Sequence, residues 1–522
     1  MSISRRWVAV VLALAIVGWS ARQLFAGAIA GSVDNVATGG RSLSLKVGKE
    51  ERIERVSLDA ATEVTLDGKP ATAADIKAGL YAVVITDDTR AVKVNLRSKS
   101  PTASAPTPKT TTTPPKSAPV TKTAPRTNAA TANADAPWPQ FRGPNRDGIS
   151  AETGLLKTWP ADGPKLLWTA TGMGEGFSSV SVANGLVLTM GNQNGAEGVV
   201  AVDLKTGKSV WGTPTGKGFQ EQRGSGPRAV PTIDGNTVYA LGANGDLASL
   251  DLATGKSKWS LNILQQTNGS NITWGISESV LIDGDRLICS PGSQGATMIA
   301  LNKSNGRPIW SSSAAGVSNA GYASAIIANI SGVRQYVQFT SQGVIGVKAD
   351  DGTFLWADGS ASNRTANCSA PVVLGNFVFS ASGYGTGGAL VEIGARPGGG
   401  LAARQVYTTR DMKNHHGGMV LLNGFLYGCD EAVLTCLDFK TGQVAWQNRS
   451  VGKGSVTYAD GHLYVRSEQG PVALVEANPK AYVEKGRFTP PRSDRNAWAY
   501  PAIADGKLLL RDQDQLFCYE IK

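Results

Sequence analysis

Histidine is nearly missing from this 522-residue chain, which has only His415, His416 and His462. None stands in a His-Glu-x-x-His or similar spacing, so no zinc centre is expected. Cysteine is also sparse. Cys289, Cys368, Cys429, Cys436 and Cys518 contain no adjacent pair and no Cys-x-x-Cys, and an odd number allows at most two disulfides. Cys436 and Cys518 occupy a repeat position that Ser249 fills elsewhere, which reads as small buried packing. The N-terminal apolar run is short: Trp7 to Trp19, behind Arg5-Arg6, is about half to two-thirds of the roughly 20 residues a bilayer span requires, which favours a secretory signal over a permanent anchor.

A concentrated basic surface is lacking as well. The net charge is +10, but residues 1–136 hold 18 Lys+Arg against 11 Asp+Glu (+7) and the other 386 hold 33 against 30 (+3). The larger part is close to neutral, and no basic stripe with interleaved aromatics marks a phosphate-tracking groove, so nucleic acid is not an expected partner.

What is abundant is repetition. Val202-Asp203-Leu204-Lys205-Thr206-Gly207 leads to Trp211, Leu250-Asp251-Leu252-Ala253-Thr254-Gly255 to Trp259, and Leu437-Asp438-Phe439-Lys440-Thr441-Gly442 to Trp446. Degenerate copies lead to Trp310 and Trp356. The aromatic series Trp168, Trp211, Trp259, Trp310, Trp356, Tyr407, Trp446, Phe488 recurs every forty to fifty residues, the period of units that must stack to bury their apolar faces. Each unit is β. Val230 to Leu241 reads as a short strand, a Gly-containing tight turn and a β-rich strand, Leu247 to Asp251 follows after a second turn at Asn244-Gly245-Asp246, and the Asp-x-x-Thr-Gly turn leads into a strand carrying the Trp. Four antiparallel strands repeated radially make a propeller blade. The last repeat supplies three strands, and Pro164–Trp168 supplies a fourth, which predicts an all-β, eight-bladed propeller closed by its own N-terminal strand. The repeat tryptophans are therefore blade-docking residues.

Four segments are expected. Residues 1–30 are a secretory signal or N-terminal membrane anchor, with Ala28-Ile29-Ala30 a candidate cleavage site and no following cysteine for a lipid anchor. Residues 31–98 form a small β domain with a hairpin turn at Asp67-Gly68-Lys69 and a short helical turn within 71–77. Residues 99–136 are Pro-, Thr- and Ala-rich, a composition that makes a disordered linker. Residues 137–522 are the propeller.

On the phrase Leu-Asp-x-x-Thr-Gly-x-x-x-Trp at 250–259 and Leu-Asp-x-x-Thr-Gly-x-x-x-Trp at 437–446, the chain resembles the PQQ-like β-propeller family. That family includes quinoprotein alcohol dehydrogenases and the propeller subunit of the outer-membrane β-barrel assembly machinery. Trp138 to Gly148 resembles the opening segment of exported propellers of this kind. The phrases at 67–71 and 75–79 resemble small β-barrel domains of secreted bacterial proteins.

Function is expected in the loops that lead into each innermost strand and converge on the central channel. The candidates are Glu175, Phe177, Arg228, Trp274, Tyr322, Asn367, Asn414, His415, His416, Lys453, Arg495 and Trp498. His415 and His416 are adjacent on an extended segment, so only one is expected to face the channel. His462, in Asp460-Gly461-His462, is expected on the turn surface. Two functions compete for this ring. The favoured one is a non-catalytic envelope scaffold, exported to the periplasm or cell envelope, that binds a protein, peptide or glycan and needs no cofactor or metal. The alternative, implied by the resemblance, is a dehydrogenase holding pyrroloquinoline quinone with calcium, in which Arg228, Lys453 and Arg495 meet the cofactor's carboxylates and Trp274 or Trp498 stacks on its ring. The family's enzymes carry a vicinal cysteine disulfide beside the cofactor, and this sequence has no adjacent cysteines.

Overall fold

The computed structural model describes residues 26–36, 42–47, 52–58, 62–66, 69–78, 80–87, 90–97, 137–313 and 319–522. The linker expected at 99–136 and most of the expected export segment lie outside the described residues. The chain divides into two compact units, Met1–Val120 and Thr121–Lys522.

In the first unit, seven strands form one sheet, and a parallel contact between Ser57 and Arg90 closes it into a small barrel around Leu43, Leu45, Val56, Ala82 and Val94. The alternation of Ser42–Val47 puts Leu43 and Leu45 inside and leaves Ser42 and Ser44 half-buried. Its first strand, Ala26–Val36, takes in Ala28-Ile29-Ala30, which pair with Ile85, Val84 and Val83. The short helical turn is a 3₁₀ turn at Ala73–Asp75, capped by hydrogen bonds from the Thr72 N–H and hydroxyl to the Asp75 carboxylate, both at 2.8 Å.

The second unit is the eight-bladed propeller. Blades one to seven start at Ser181, Thr232, Leu281, Ile326, Val372, Met419 and Gly454. The eighth comprises Ala502–Ala504, Lys507–Asp512 and Gln515–Glu520, and Lys165–Ala170 completes it by pairing Trp168 with Cys518. This N-terminal closure is the one read from the repeat count. Joining the two chain ends in one blade leaves the ring no open edge.

The repeated phrase builds both the blade and its joint. Asp251 accepts hydrogen bonds from the Thr254 N–H (3.0 Å) and hydroxyl (2.8 Å), and Asp203 and Asp438 do the same for Thr206 and Thr441. Gly255 has φ +69, which glycine adopts without strain. It has a second task, because a Cβ there would lie 2.5 Å from the Trp211 ring of the preceding blade. Four more rings sit on the next blade's glycine in the same way: Trp168 on Gly207, Trp310 on Gly352, Tyr407 on Gly442, and Phe488 on Gly163. The indole N–H groups of Trp168, Trp211, Trp259 and Trp446 also reach across, to the carbonyls of Leu204, Leu252, Lys303 and Asn478 at 2.7–3.1 Å. Trp356 departs from the pattern and donates to Gln335 within its own blade.

The five cysteines are unpaired, with all but Cys368 buried. His462 is buried, not on the turn surface: the tight turn is Asp460-Gly461, both at positive φ, so His462 is already the first residue of strand His462–Ser467.

Candidate functional site: a cup in the central channel

The channel is stopped by the chain itself. Trp138 to Ile149 leaves the blade architecture and crosses the centre of the ring. Trp138 pairs with Val182 of blade one, and the Pro139 carbonyl accepts from the Ile233 N–H of blade two at 2.8 Å. The Arg146 guanidinium donates to the Ser279 (2.6 Å) and Val280 (3.0 Å) carbonyls of blade three. Arg142 donates to the Met419 carbonyl of blade six at 2.5 Å, and Phe141 meets Tyr500 edge-on at 5.5 Å. Ile149–Ser150 then adds a parallel strand inside blade seven. Both arginines are buried, and burial holds their pKa values below the ordinary value, Arg146 at about 10. Backbone carbonyls therefore solvate these cations.

Above this plug lies a blind cup of about 260 Å³. Its walls are the segments leading into the innermost strands. Phe177, Arg228, Trp274, Tyr322, His415, His416 and Trp498, all singled out from sequence, meet there. Phe141, Arg223, Cys368, Tyr384 and Tyr500 complete the wall. Aromatic pairs stiffen it: Phe177 and Trp498 lie 4.5 Å apart between centroids, and Trp274 and Tyr322 5.5 Å. Arg228 sits 5.4 Å over Phe177 and donates to the Gly224 and Gly226 carbonyls, while Arg223 lies 5.9 Å over Trp274.

Glu468, on the loop after strand His462–Ser467, organises the opposite wall. One carboxylate oxygen lies 3.2 Å from His416 Nε2, 3.2 Å from the Trp498 indole nitrogen and 3.9 Å from Lys453 Nζ. Burial raises the Glu468 pKa, but the His416 hydrogen bond and the Lys453 charge outweigh it and the net shift is downward. Burial, with His416 and Lys453 nearby, pulls His415 down to about 3. His416 is likewise lowered by burial in spite of Glu468.

Both histidines face the cup, against the expectation of one. Their segment is not a strand: it bends at His416-Gly417, which brings the two rings to 5.0 Å on one side. Neither ring bonds loop backbone; His416 meets Glu468, and His415 packs edge-on against Tyr384 at 4.7 Å. The remaining candidates lie elsewhere. Asn367 and Asn414 are buried and bond backbone carbonyls of Thr340, Ser341, Gly418 and Cys429. Glu175 forms a backbone bridge to Asn192, Lys453 stands behind Glu468, and Arg495 is exposed outside the cup wall. Glu468 was passed over because it sits in a second-to-third-strand loop with no distinguishing motif.

The wall does not hold a prepared nucleophile. The Cys368 thiol is pushed up to about 12 by burial, so it stays protonated. The Ser179 and Ser277 hydroxyls donate to the Tyr500 and Gly275 carbonyls, and Ser324 accepts the Ser279 N–H. Calcium takes six to eight oxygens from carboxylates and carbonyls. The residues lining the cup include no carboxylate, Glu468 behind His416 and Trp498 is committed to three nitrogen partners, and among the described residues no group of three or more His, Cys, Asp or Glu is placed to hold a metal ion. These residues do not fit a calcium-bound quinone.

A family model described as outer membrane protein assembly factor BamB matches residues 148–277 and 274–448. Outer membrane protein assembly factor BamB of Moranella endobia (strain PCIT) is 33% identical over 128 residues, covering 23% of this chain and 32% of the relative. That of Yersinia pestis is 22% identical over 282 residues, covering 52% of this chain and 68% of the relative. The chain thus spans about a third of the first relative's length. Quinohemoprotein alcohol dehydrogenase from Comamonas testosteroni superposes with a TM-score of 0.52 at 11% identity, over 74% of this chain and 81% of that one, a likeness of fold alone.

Proposed function

The chain belongs to the outer membrane protein assembly factor BamB family, and from that premise we propose that it is an exported, non-catalytic propeller of the cell envelope that binds a protein partner in outer-membrane assembly. Residues 1–30 direct its export in this reading. An exposed peptide segment of the partner enters the cup, where Trp274, Trp498 and Arg228 are anchor residue types. The observation that carries the reading is the internal commitment of the cup's polar groups. Glu468 is spent on His416, Trp498 and Lys453, and the Ser179 and Ser277 hydroxyls on backbone, with the buried His416 Nδ1 the exception, which leaves aromatic faces and guanidinium edges to meet a ligand.

The closest rival is quinone chemistry, and titration separates the two. Full-length protein titrated with pyrroloquinoline quinone plus Ca²⁺ is expected to form no complex. A complex of micromolar affinity or tighter with dye-linked alcohol oxidation would overturn the scaffold reading. Removing the gene from its own cell is expected to lower outer-membrane β-barrel protein content, and unchanged content would contradict the assembly role.

A further inference from the structure

Beside the cup, on the same face, lies a second and larger depression of about 780 Å³, within the roughly 300–1,000 Å³ range of small-ligand sites. It spans the loops of blades three and four and the segments flanking them, from Thr267–Thr273 across Gly292–Gly295 to Asn363–Asn367. Its chemistry is the reverse of the cup's. Of its described lining residues Arg364 alone is charged, in a chain where 18% of residues are, and amides and hydroxyls make up most of the rest. Asn268, Gln294 and Asn319 are exposed along it.

One group in the wall is unexplained by the fold. Ser293 is buried, and its hydroxyl has no hydrogen-bond partner. The hydrogen-bonding capacity of this wall is therefore not fully used within the chain. The single ring in the wall is Tyr322, whose backbone N–H is tied to the Asn367 carbonyl at 2.9 Å and whose ring stands against Trp274.

We propose that this cleft is a carbohydrate site that takes a neutral oligosaccharide. An amide side chain offers both donor and acceptor, as does a hydroxyl, so such a lining matches a ligand whose every polar group is both. Tyr322 supplies an apolar face for the C–H side of a sugar ring. The near-absence of charge argues against phosphate-bearing or acidic ligands, which need Lys or Arg clusters. Extended peptides use sheet edges or apolar pockets, and this wall is loop with neither. The site shares Tyr322 and Ala366 with the cup wall and is otherwise lined by different residues.

The test is ligand-observed saturation-transfer NMR and calorimetry on the full-length protein with chitotetraose, cellotetraose and maltotetraose as neutral probes and a tetragalacturonate as the acidic one. At least one neutral probe is expected to bind with Kd between about 10 µM and 1 mM. The double substitution Gln294→Ala with Asn319→Ala, at two exposed side chains, is expected to weaken it at least tenfold, and Val210→Ala, exposed on the outer strand Ser209–Lys217, to leave it unchanged. Failure of all three neutral probes, preference for the acidic one, or affinity indifferent to the double substitution would each overturn the proposal.

Discussion

Trp211 and Trp498 belong to one ring of blades, but they are held in opposite ways. Trp211 is on an outer strand, seated on Gly255 of the next blade, with its indole N–H given to a backbone carbonyl. Trp498 stands at the centre, against Phe177 and His416, with its N–H given to a side-chain carboxylate. At the periphery a tryptophan is a joint, repeated around the ring with Tyr407 and Phe488 taking its place in two blades. At the centre it is a wall element, as Trp274 is, and answerable to whatever enters the cup. The residue type says little; the identity of its partners decides its role.

The contrast can be broken most severely at the plug. Trp138 is fully buried between blade one and the channel residues, and Trp138→Ala is expected to cost about 3–5 kcal/mol. Chemical unfolding would show it, and a loss below 1 kcal/mol would mean that the plug is an ornament. Next comes the peripheral joint. Gly255→Ala puts a Cβ against the Trp211 ring at a left-handed backbone position, and about 2–4 kcal/mol is expected from the two penalties together. A control at Gly235, which also has positive φ but open space around its Cβ, isolates the ring clash from the backbone strain, and equal losses at the two sites would remove the clash from the account.

A subtler effect is expected at His415. Its folded pKa of about 3 lies below the ordinary histidine value of about 6.5, so the unfolded chain binds the extra proton first. Stability on this account is present above about pH 6.5 and is lost as pH falls below it, at up to about 1.4 kcal/mol per pH unit. Thermal unfolding of wild type and His415→Gln should therefore show wild type losing ground to the variant between about pH 7.5 and pH 5. A difference that stays constant with pH would put His415 in contact with solvent. The smallest stability effect is expected for Trp498→Ala, within about 1 kcal/mol because the ring is partly exposed in the cup, while partner binding is lost.

The two regions were also unequally legible. The Asp-x-x-Thr-Gly-x-x-x-Trp phrase carries its own geometry, because Asp, Thr and Gly act within one turn and the Trp follows at fixed spacing; the eight blades and the closure through Trp168 follow from counting. What the phrase does not disclose is that glycine and ring meet across blades, since those contacts join residues about forty positions apart. The channel was harder. Trp138 to Gly148 stood out as a motif, but its partners, from Val182 to Tyr500, are set by ring closure and not by local pattern. Asn367 and Asn414 share the polar character of the true wall residues and differ only in being turned onto backbone. His416 joined His415 in the cup because of a bend at Gly417 that an extended-segment argument overlooks.

The central claim is that partners meet this ring at its centre and not at its outer strands. Tyr384 at the cup and Val210 on an outer strand are equally exposed, each at 48%, so accessibility alone does not separate them. A photo-crosslinking residue placed at each position in the source cell gives the most direct measurement. Adducts with an outer-membrane assembly protein are expected from position 384 and not from 210. Adducts from 210 alone, or from neither position, would contradict the account.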